Sequence, residues 1–289
     1  MYVESHIHLS HALYDGEFPY VARSESGDEI VIDRGNREAA IKEIKDAGIG
    51  FCVEPGIELW SNEKILEVCS RYPGFIYPAM GVHPTRTPNT RWKDRRIVER
   101  LSQDSRVVAI GELGLDYHYQ RKKQHRIKQK RWFVWQLKLA QKRKLPLILH
   151  IRMADKDAIR ILRLYKKKLH GGVCHCFNGD KEIAKIYTEE LGLMLGIGGG
   201  LLQKPERSAD LVEALKNISL ENIVLETDGP YVKPERPSGD ITKKQWTKAR
   251  NTSAIIPDVA RKIAEIKGID VEEVERVTTE NAKRLFEIA

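Results

Sequence analysis

Residues 145–151 read LPLILHI. The run is apolar except for one imidazole, and its apolar residues do not alternate with polar ones. A strand with one face in water would alternate; a continuous apolar run fits a strand covered on both faces, as in a parallel sheet. The polar residue, His150, comes at the end of the run, where an imidazole has to be hydrogen-bonded, paired or ligated to remain buried.

Seven further segments read as strands, several of them near-continuous apolar runs as well: YVESHI (2–7), GIGFCVE (48–54), FIYPAMG (75–81), VVAIGE (107–112), GGVCHCF (171–177), GLMLGIG (192–198) and NIVLETD (222–228). Amphipathic helical patterns separate them, over 37–47, 61–71, 94–103, 124–143, 154–168, 180–191 and 208–217, with 257–267 and 271–288 closing the chain. Asn178 and Asp180 supply a start signal for the helix at 180, and Ser208 and Asp210 for the helix at 208. Eight β–α repeats in 289 residues imply an α/β chain forming a (β/α)8 TIM barrel as a single domain over residues 1–289. A doubly wound open sheet is the weaker alternative, because no glycine-rich phosphate loop follows the first strand. Two stretches exceed ordinary βα loops and are expected over the barrel mouth: 10–36, with a hairpin around Ser26 and Gly27, and 229–252, which is basic.

Composition narrows the class. Hydrophobic residues make up 41%, enough for a core, and no apolar run is long enough to span a membrane. No basic region followed by an apolar core opens the chain, so no signal peptide is expected. Four cysteines (52, 69, 174 and 176) read as reduced thiols of a cytoplasmic protein; Cys174 and Cys176 flank His175 and are expected to face the helical layer. The net charge of +8 is concentrated at 118–131, 141–144 and 165–170, a pattern that favours a polyanionic partner.

His6 and His8 stand two apart at the end of the first strand, so they share a face. Nine histidines in 289 residues give roughly 0.3 such pairs by chance, and the pair alone is a weak motif. Its weight comes from Glu112, His150, His175, Glu226 and Asp228, which stand at the same ends of other strands. Such groups are costly there unless paired or ligated, and a metal explains them together. Three or four imidazoles with two or more carboxylates exceed the needs of one tetrahedral zinc and suit two divalent ions, with Glu112 able to bridge. Mg²⁺ or Mn²⁺ is expected for activity, and Zn²⁺ is compatible with the imidazoles.

These residues lie in six motifs: ESHIHL (4–9), GVHP (81–84), GELGLDYH (111–118), HIR (150–152), HCFNG (175–179) and ETDGPY (226–231). In that order they resemble the TatD family of metal-dependent deoxyribonucleases, within the amidohydrolase-like barrels, over essentially the whole chain. The resemblance implies that His6, His8, Glu112 and Asp228 hold one ion and that Glu112, His150 and His175 hold the other. It also implies that Asp228 orients or deprotonates the attacking water, and that the chain removes nucleotides from DNA ends, with 3′-to-5′ polarity. The sequence departs from the family at Glu4, where the family has Asp, and at Ser253, where an Asn-x-Pro signature has its proline; Asn251 is kept.

Around these lie candidates for substrate binding or for support of the ligands: Glu4, His83, Asp116, Arg152 and Glu226. Arg152 suits a phosphate, or an internal ion pair with Glu112, Asp116 or Asp228. Gly111 and Gly114 read as turn residues, and His11, His118, His125 and His170 as solvated. Trp132 and Trp135 read as core, while Trp60 and Trp92 are candidates to stack on bases. The expected partner is DNA with single-stranded ends, bound by a monomer. The alternative is a metal-dependent ester or amide hydrolase such as a D-aminoacyl-tRNA deacylase; an inactive barrel serving as a binding protein is a third reading.

Overall fold

The computed structural model describes residues 1–27, 29–237 and 240–289; Asp28 of the expected hairpin and Ser238 and Gly239 of the second long stretch lie outside them. The expected strands form: β1 (Tyr2–Glu4), β4 (Ile49–Pro55), β5 (Ile76–Met80), β6 (Ala109–Asp116), β7 (Leu147–Arg152), β8 (Gly172–Cys174), β9 (Met194–Ile197) and β10 (Ile223–Leu225), with β2 (Phe18–Arg23) and β3 (Ile30–Gly35) between the first two. The eight-stranded sheet runs β1-β4-β5-β6-β7-β8-β9-β10, with parallel registers β1–β4 and β5 through β9. Ser5 N–H donates to Leu225 O (2.9 Å), and Ile7 bridges Gly229 in parallel, so β10 returns to β1. This is the nearly closed (β/α)8 barrel that the alternation of elements predicts.

Cα packing divides the chain into two units, the first Met1–Cys52, Cys176–Lys181 and Gly196–Ala282, the second Val53–His175, Glu182–Leu195 and Lys283–Ala289.

In the second unit β6 is longer than the apolar run suggests and carries Asp116 on its last position. Its register against β7 slips between Gly111 and Leu113, so Glu112 is an extra residue bulged out of the ladder. A bulge re-aims the side chain it carries. Gly111 and Gly114 are not turn residues: both lie within β6. A Cβ on Gly111 would stand 2.6 Å from the Ile148 Cβ, and one on Gly114, whose φ is +143°, would stand 2.1 Å from His150 O. They allow β7 to approach the bulge.

Strand ends leave backbone groups without ladder partners, and buried side-chain amides supply both a donor and an acceptor. Asn62 of α2 (Leu59–Arg71) bonds Gly81 N and O at 2.9 and 2.8 Å. Gln136 of α4 (Lys123–Arg143) bonds Val82 N and O at 2.8 and 3.2 Å, and Gln129 bonds Asp116 N and O, both at 3.0 Å.

In the first unit the expected hairpin is present: β2 and β3 pair antiparallel from Phe18↔Gly35 to Arg23↔Ile30. The other long stretch packs on it. Val21 N–H donates to Arg250 O and Arg250 N–H to Pro19 O, both 2.8 Å, and Val21, Ala249 and Ile255 form a core with Ile30, Ile32, Leu202 and Trp246. This stretch also contains a helix the sequence reading missed, α8 (Lys243–Lys248), opened by a Thr242–Gln245 capping box. The helix expected from Ser208 begins earlier, as α7 (Pro205–Asn217), because Pro205 occupies the first turn with its φ already helical. The expected 37–47 and 257–267 helices appear as Arg37–Asp46 and Ile256–Lys267.

Among the described residues no helix is long and apolar enough to cross a membrane.

Gln136→Leu would strand the buried Val82 N–H and C=O. It should cost about 2–3 kcal/mol and lower Tm by roughly 4–10 °C in thermal melts followed by circular dichroism. An unchanged Tm would show that the clamp contributes nothing.

Candidate metal centre

In the first unit the chain after β1 places His6 and His8 side by side. Both are buried, and their Nε2 atoms are 3.2 Å apart. Asp228, just past β10, brings Oδ1 to 3.3 Å from His8 Nε2 and 3.7 Å from His6 Nε2. Its backbone is fixed by a bond from its N–H to His6 O (2.9 Å), in a left-handed conformation with φ +52°. Non-glycine residues seldom adopt that conformation, and where they do the surroundings must hold it. Ligand atoms about 2.1 Å from a common ion lie roughly 3.0–3.4 Å apart; the two spacings that His8 makes fall in that range, the His6–Asp228 spacing is wider, and the chemistry of the three atoms suits a divalent ion.

In the second unit three imidazoles converge on one carboxylate oxygen. Glu112 Oε1 is 3.2 Å from His83 Nε2, 2.9 Å from His150 Nδ1 and 2.8 Å from His175 Nε2. His150 Nδ1 lies 3.0 Å from His175 Nε2, and His150 Nε2 lies 3.1 Å from Asp116 Oδ2. His83, Glu112 and His150 are near enough to hold one ion. His83 Nδ1 meets the Thr85 hydroxyl at 2.6 Å, which fixes its ring so that Nε2 faces Glu112.

Electrostatics in this group follow from burial and neighbours. Burial by itself would raise the Glu112 carboxyl, but the nearby His83 and His175 rings and the bonds to His150 and His175 hold it well below the usual carboxylate range. Burial lowers His83 to about 4, with Glu112 opposing, so its imidazole is neutral and can donate a lone pair. His150 moves the other way: burial disfavours its charge, and the bonds to Asp116 and Glu112 outweigh burial. Asp116 is lowered because the His150 bond and the Tyr119 N–H outweigh burial. A cation bound here would displace protons from imidazole, so its affinity would fall in acid.

The other sequence candidates are placed as follows. Glu4, fully buried, accepts from His6 N–H and Thr227 N–H through Oε1 (both 3.0 Å) and from the Thr227 and Ser253 hydroxyls through Oε2 (2.6 and 2.7 Å). Burial pushes it up to about 8, against those hydrogen bonds. Thr227 was not singled out in the sequence, and Ser253 only as a departure from the family; the structure joins both to Glu4. Glu226 is buried and accepts from Cys176 N–H. Arg152 is exposed and lies 4.9 Å above the exposed Tyr119 ring.

Several supporting expectations change. Cys176 is not a core thiol: the chain turns left-handed at it (φ +49°), leaving it partly exposed beside a cavity of about 110 Å³ walled in part by Phe177, Gly199, Glu226 and Val232. Cys174 is buried as expected. His11 is held by Leu13 N–H and the Tyr231 hydroxyl, and His125 by Gln120, so neither is simply solvated. Trp132 is buried as expected, while Trp135 is half-buried. Trp92 packs edge-on against both, with Arg95 and Arg131 over its ring, which leaves it poorly placed to stack on a base. Trp60 is exposed on α2 with its indole N–H on Glu58. Lys233 of the basic stretch points inward, donating to the Trp246 and Ala249 carbonyls.

A strand barrel carrying imidazole and carboxylate groups of this spacing defines a metal-dependent hydrolase. The family model of the TatD related DNases matches residues 3–287, and the chain belongs to that family. It is 32% identical over 288 residues, with full coverage of both chains, to the uncharacterized metal-dependent hydrolase YabD of Bacillus subtilis. It is 30% identical to the 3′-5′ ssDNA/RNA exonuclease TatD of Erwinia tasmaniensis, over 88% of this chain and 94% of that one. Its fold matches the crystal structure of YJJV, a TatD homologue from Escherichia coli K12, with a TM-score of 0.81, 23% identity and coverage of 100% and 98%.

Burial predicts the thiol chemistry. Cys52, Cys69 and Cys174 are buried, and burial pushes the Cys69 thiol far up. In the native protein DTNB should therefore titrate one thiol, Cys176, and Cys176→Ser should abolish the signal. Two or more fast-reacting thiols would contradict the buried placement of the others.

Proposed function

We propose that this chain is a divalent-metal-dependent nuclease that hydrolyses phosphodiester bonds of DNA, working from the 3′ end of single strands. The observation that carries the reading is the pair of ligand groups, His6–His8–Asp228 and Glu112 with its three imidazoles, found in a chain that the TatD related DNase model matches almost throughout. The curated relatives named as 3′-5′ ssDNA/RNA exonucleases support the substrate class and the polarity. The match over 3–287 supports one working domain, which we take to act as a monomer.

We assign His6, His8 and Asp228 to one ion and Glu112, His150 and His175 to a second. In (β/α)8 barrels active-site residues stand at the C-terminal ends of strands, the positions that both groups occupy on their own strands. Divalent ions held there would supply Lewis-acid stabilisation of the phosphoryl group and a lowered pKa for water. Asp228 Oδ1 accepts the proton of the attacking water. His83 keeps Glu112 in place through Nε2, and Asp116 keeps His150 in place from the far side of its ring. Arg152, supported on Tyr119, grips a phosphate of the strand, and the basic run 121–131 draws the polyanion in. Glu226 acts through the Cys176 backbone rather than on the substrate.

The test is cleavage of an end-labelled single-stranded DNA oligonucleotide by metal-stripped protein, with Mg²⁺, Mn²⁺ or Zn²⁺ returned. A ladder of shortening products should appear only with metal, and Glu112→Ala or Asp228→Asn should lower the rate by roughly 10³-fold or more. Protein that binds metal yet leaves DNA intact would overturn the nuclease reading; ester or aminoacyl-tRNA cleavage by the same protein would replace it.

Salt dependence probes the phosphate contacts separately. Arg152→Ala should raise KM more than it lowers kcat. It should also reduce the slope of log affinity against log salt by about 0.7. An unchanged slope would remove Arg152 from the strand's path.

A further inference from the structure

The first ligand group needs a support that its own residues do not provide. His6 and His8 lie on the extension of β1, Asp228 lies after β10 in a left-handed turn, and they meet only if both segments are fixed to a fraction of an ångström. The Glu4 carboxylate is the point at which these segments are joined. One of its oxygens takes the N–H of His6 and the N–H of Thr227, the residues that begin the two ligand segments. The other takes the hydroxyls of Thr227 and Ser253. Thr227 Oγ1 in turn receives Gly229 N–H (3.2 Å), so the backbone on both sides of Asp228 is held through Glu4. Asn251 Nδ2 donates to Thr227 O (3.3 Å) from the same segment that brings Ser253. Every group in this network is buried.

We propose that Glu4 is a positioning residue for the His6–His8–Asp228 metal site and that Ser253 is its partner, the hydroxyl that fixes the carboxylate in the orientation both ligand segments require. The proposal rests on the reading of that triad as a metal site. A glutamate is needed because the carboxylate must reach His6 N–H, the Thr227 pair and Ser253 at once. Shortened by one methylene, it can keep the backbone donors or reach Ser253, but not both. A buried hydroxyl left without an acceptor is costly, whereas removing donor and acceptor together costs less. Glu4→Asp and Ser253→Ala should therefore be non-additive.

The readout is Co²⁺ binding to metal-stripped full-length protein, followed by the visible d–d bands and by calorimetry, with His6→Ala marking the signal of the first site. Glu4→Asp and Ser253→Ala should each weaken that site by 10- to 100-fold, as loss of a residue supporting a ligand does elsewhere, and alter its band intensities. Binding at the Glu112 group should be retained. Glu4→Asp/Ser253→Ala should bind no more weakly than Glu4→Asp alone, and Glu4→Gln, which keeps the length, should recover most of the affinity. Unchanged Co²⁺ affinity and spectrum in Glu4→Asp and Ser253→Ala, with only a lower Tm, would overturn the proposal and leave Glu4 a packing residue. Additive losses in the double variant would overturn the pairing with Ser253. If Glu4→Asp does not fold, Ser253→Ala carries the comparison: a first site weakened 10- to 100-fold supports the proposal, and an unchanged one overturns it. Should His6→Ala itself leave Co²⁺ binding intact, the metal reading of the triad fails, a result distinct from either of the others.

Discussion

A carboxylate that stays ionised inside an apolar sheet is the constraint around which the second unit is organised. An isolated buried charge costs several kcal/mol, and the cost is offset only by partners of good geometry. Glu112 meets the condition through three imidazoles delivered to one oxygen. The surrounding structure follows from that meeting. The bulge in β6 aims Glu112, Gly111 and Gly114 let β7 come close, and Thr85 and Asp116 fix the outer nitrogens of His83 and His150. Behind Asp116 stands Gln129, whose amide ties the end of β6 to α4. Each layer serves to orient the one inside it.

Glu4 shows how far surroundings decide what a buried carboxyl does. It is as buried as Glu112, yet burial raises it to about 8 while Glu112 is held well below the carboxylate range. The difference is in what faces it. Glu112 meets imidazoles, of which His150 is favoured as the cation; Glu4 meets two backbone N–H groups and two hydroxyls, dipoles that stabilise its charge less. One arrangement favours an anion that can help neutralise a cation; the other favours a structural node.

The eight strands were legible because several are near-continuous apolar runs and helical patterns separate them, and the clustered histidines and carboxylates because charged or imidazole groups end those runs against the grain of the pattern. What the sequence concealed depends on geometry that no period encodes. Glu112 has the spacing of an ordinary strand residue, and nothing in GELGLD announces the bulge that re-aims it. Cys176 breaks the strand alternation because the chain turns left-handed there, so a parity argument that succeeds at Cys174 fails two residues later. The Gln129 and Gln136 clamps lie on a helix that reads as amphipathic and basic, where an amide carries no signal. Glu4 and Ser253 were visible singly as departures from the family pattern, but 249 residues separate them, and only the fold reveals that they are one contact.

That contact gives the two long insertions a structural consequence. The β2–β3 hairpin and the stretch that follows Asp228 share a core and exchange backbone bonds at Val21, Pro19 and Arg250. The hairpin therefore holds the chain just before Ser253; the Thr252 hydroxyl donates to Val21 O, and Arg23 reaches across to Ala254 O and Asp258. On its other side the same short segment grips Thr227 through Asn251 and Glu4 through Ser253. Residues 250–253 are thus clamped between the insertion and the chain at Glu4 and Thr227. The packing of the hairpin sets where Ser253 stands, and Ser253 bonds the Glu4 carboxylate that joins the His6 and Thr227 segments. A loop longer than an ordinary βα connection is in this chain a buttress for the segment that bonds Glu4, and through Glu4 it reaches the backbone of His6 and Thr227.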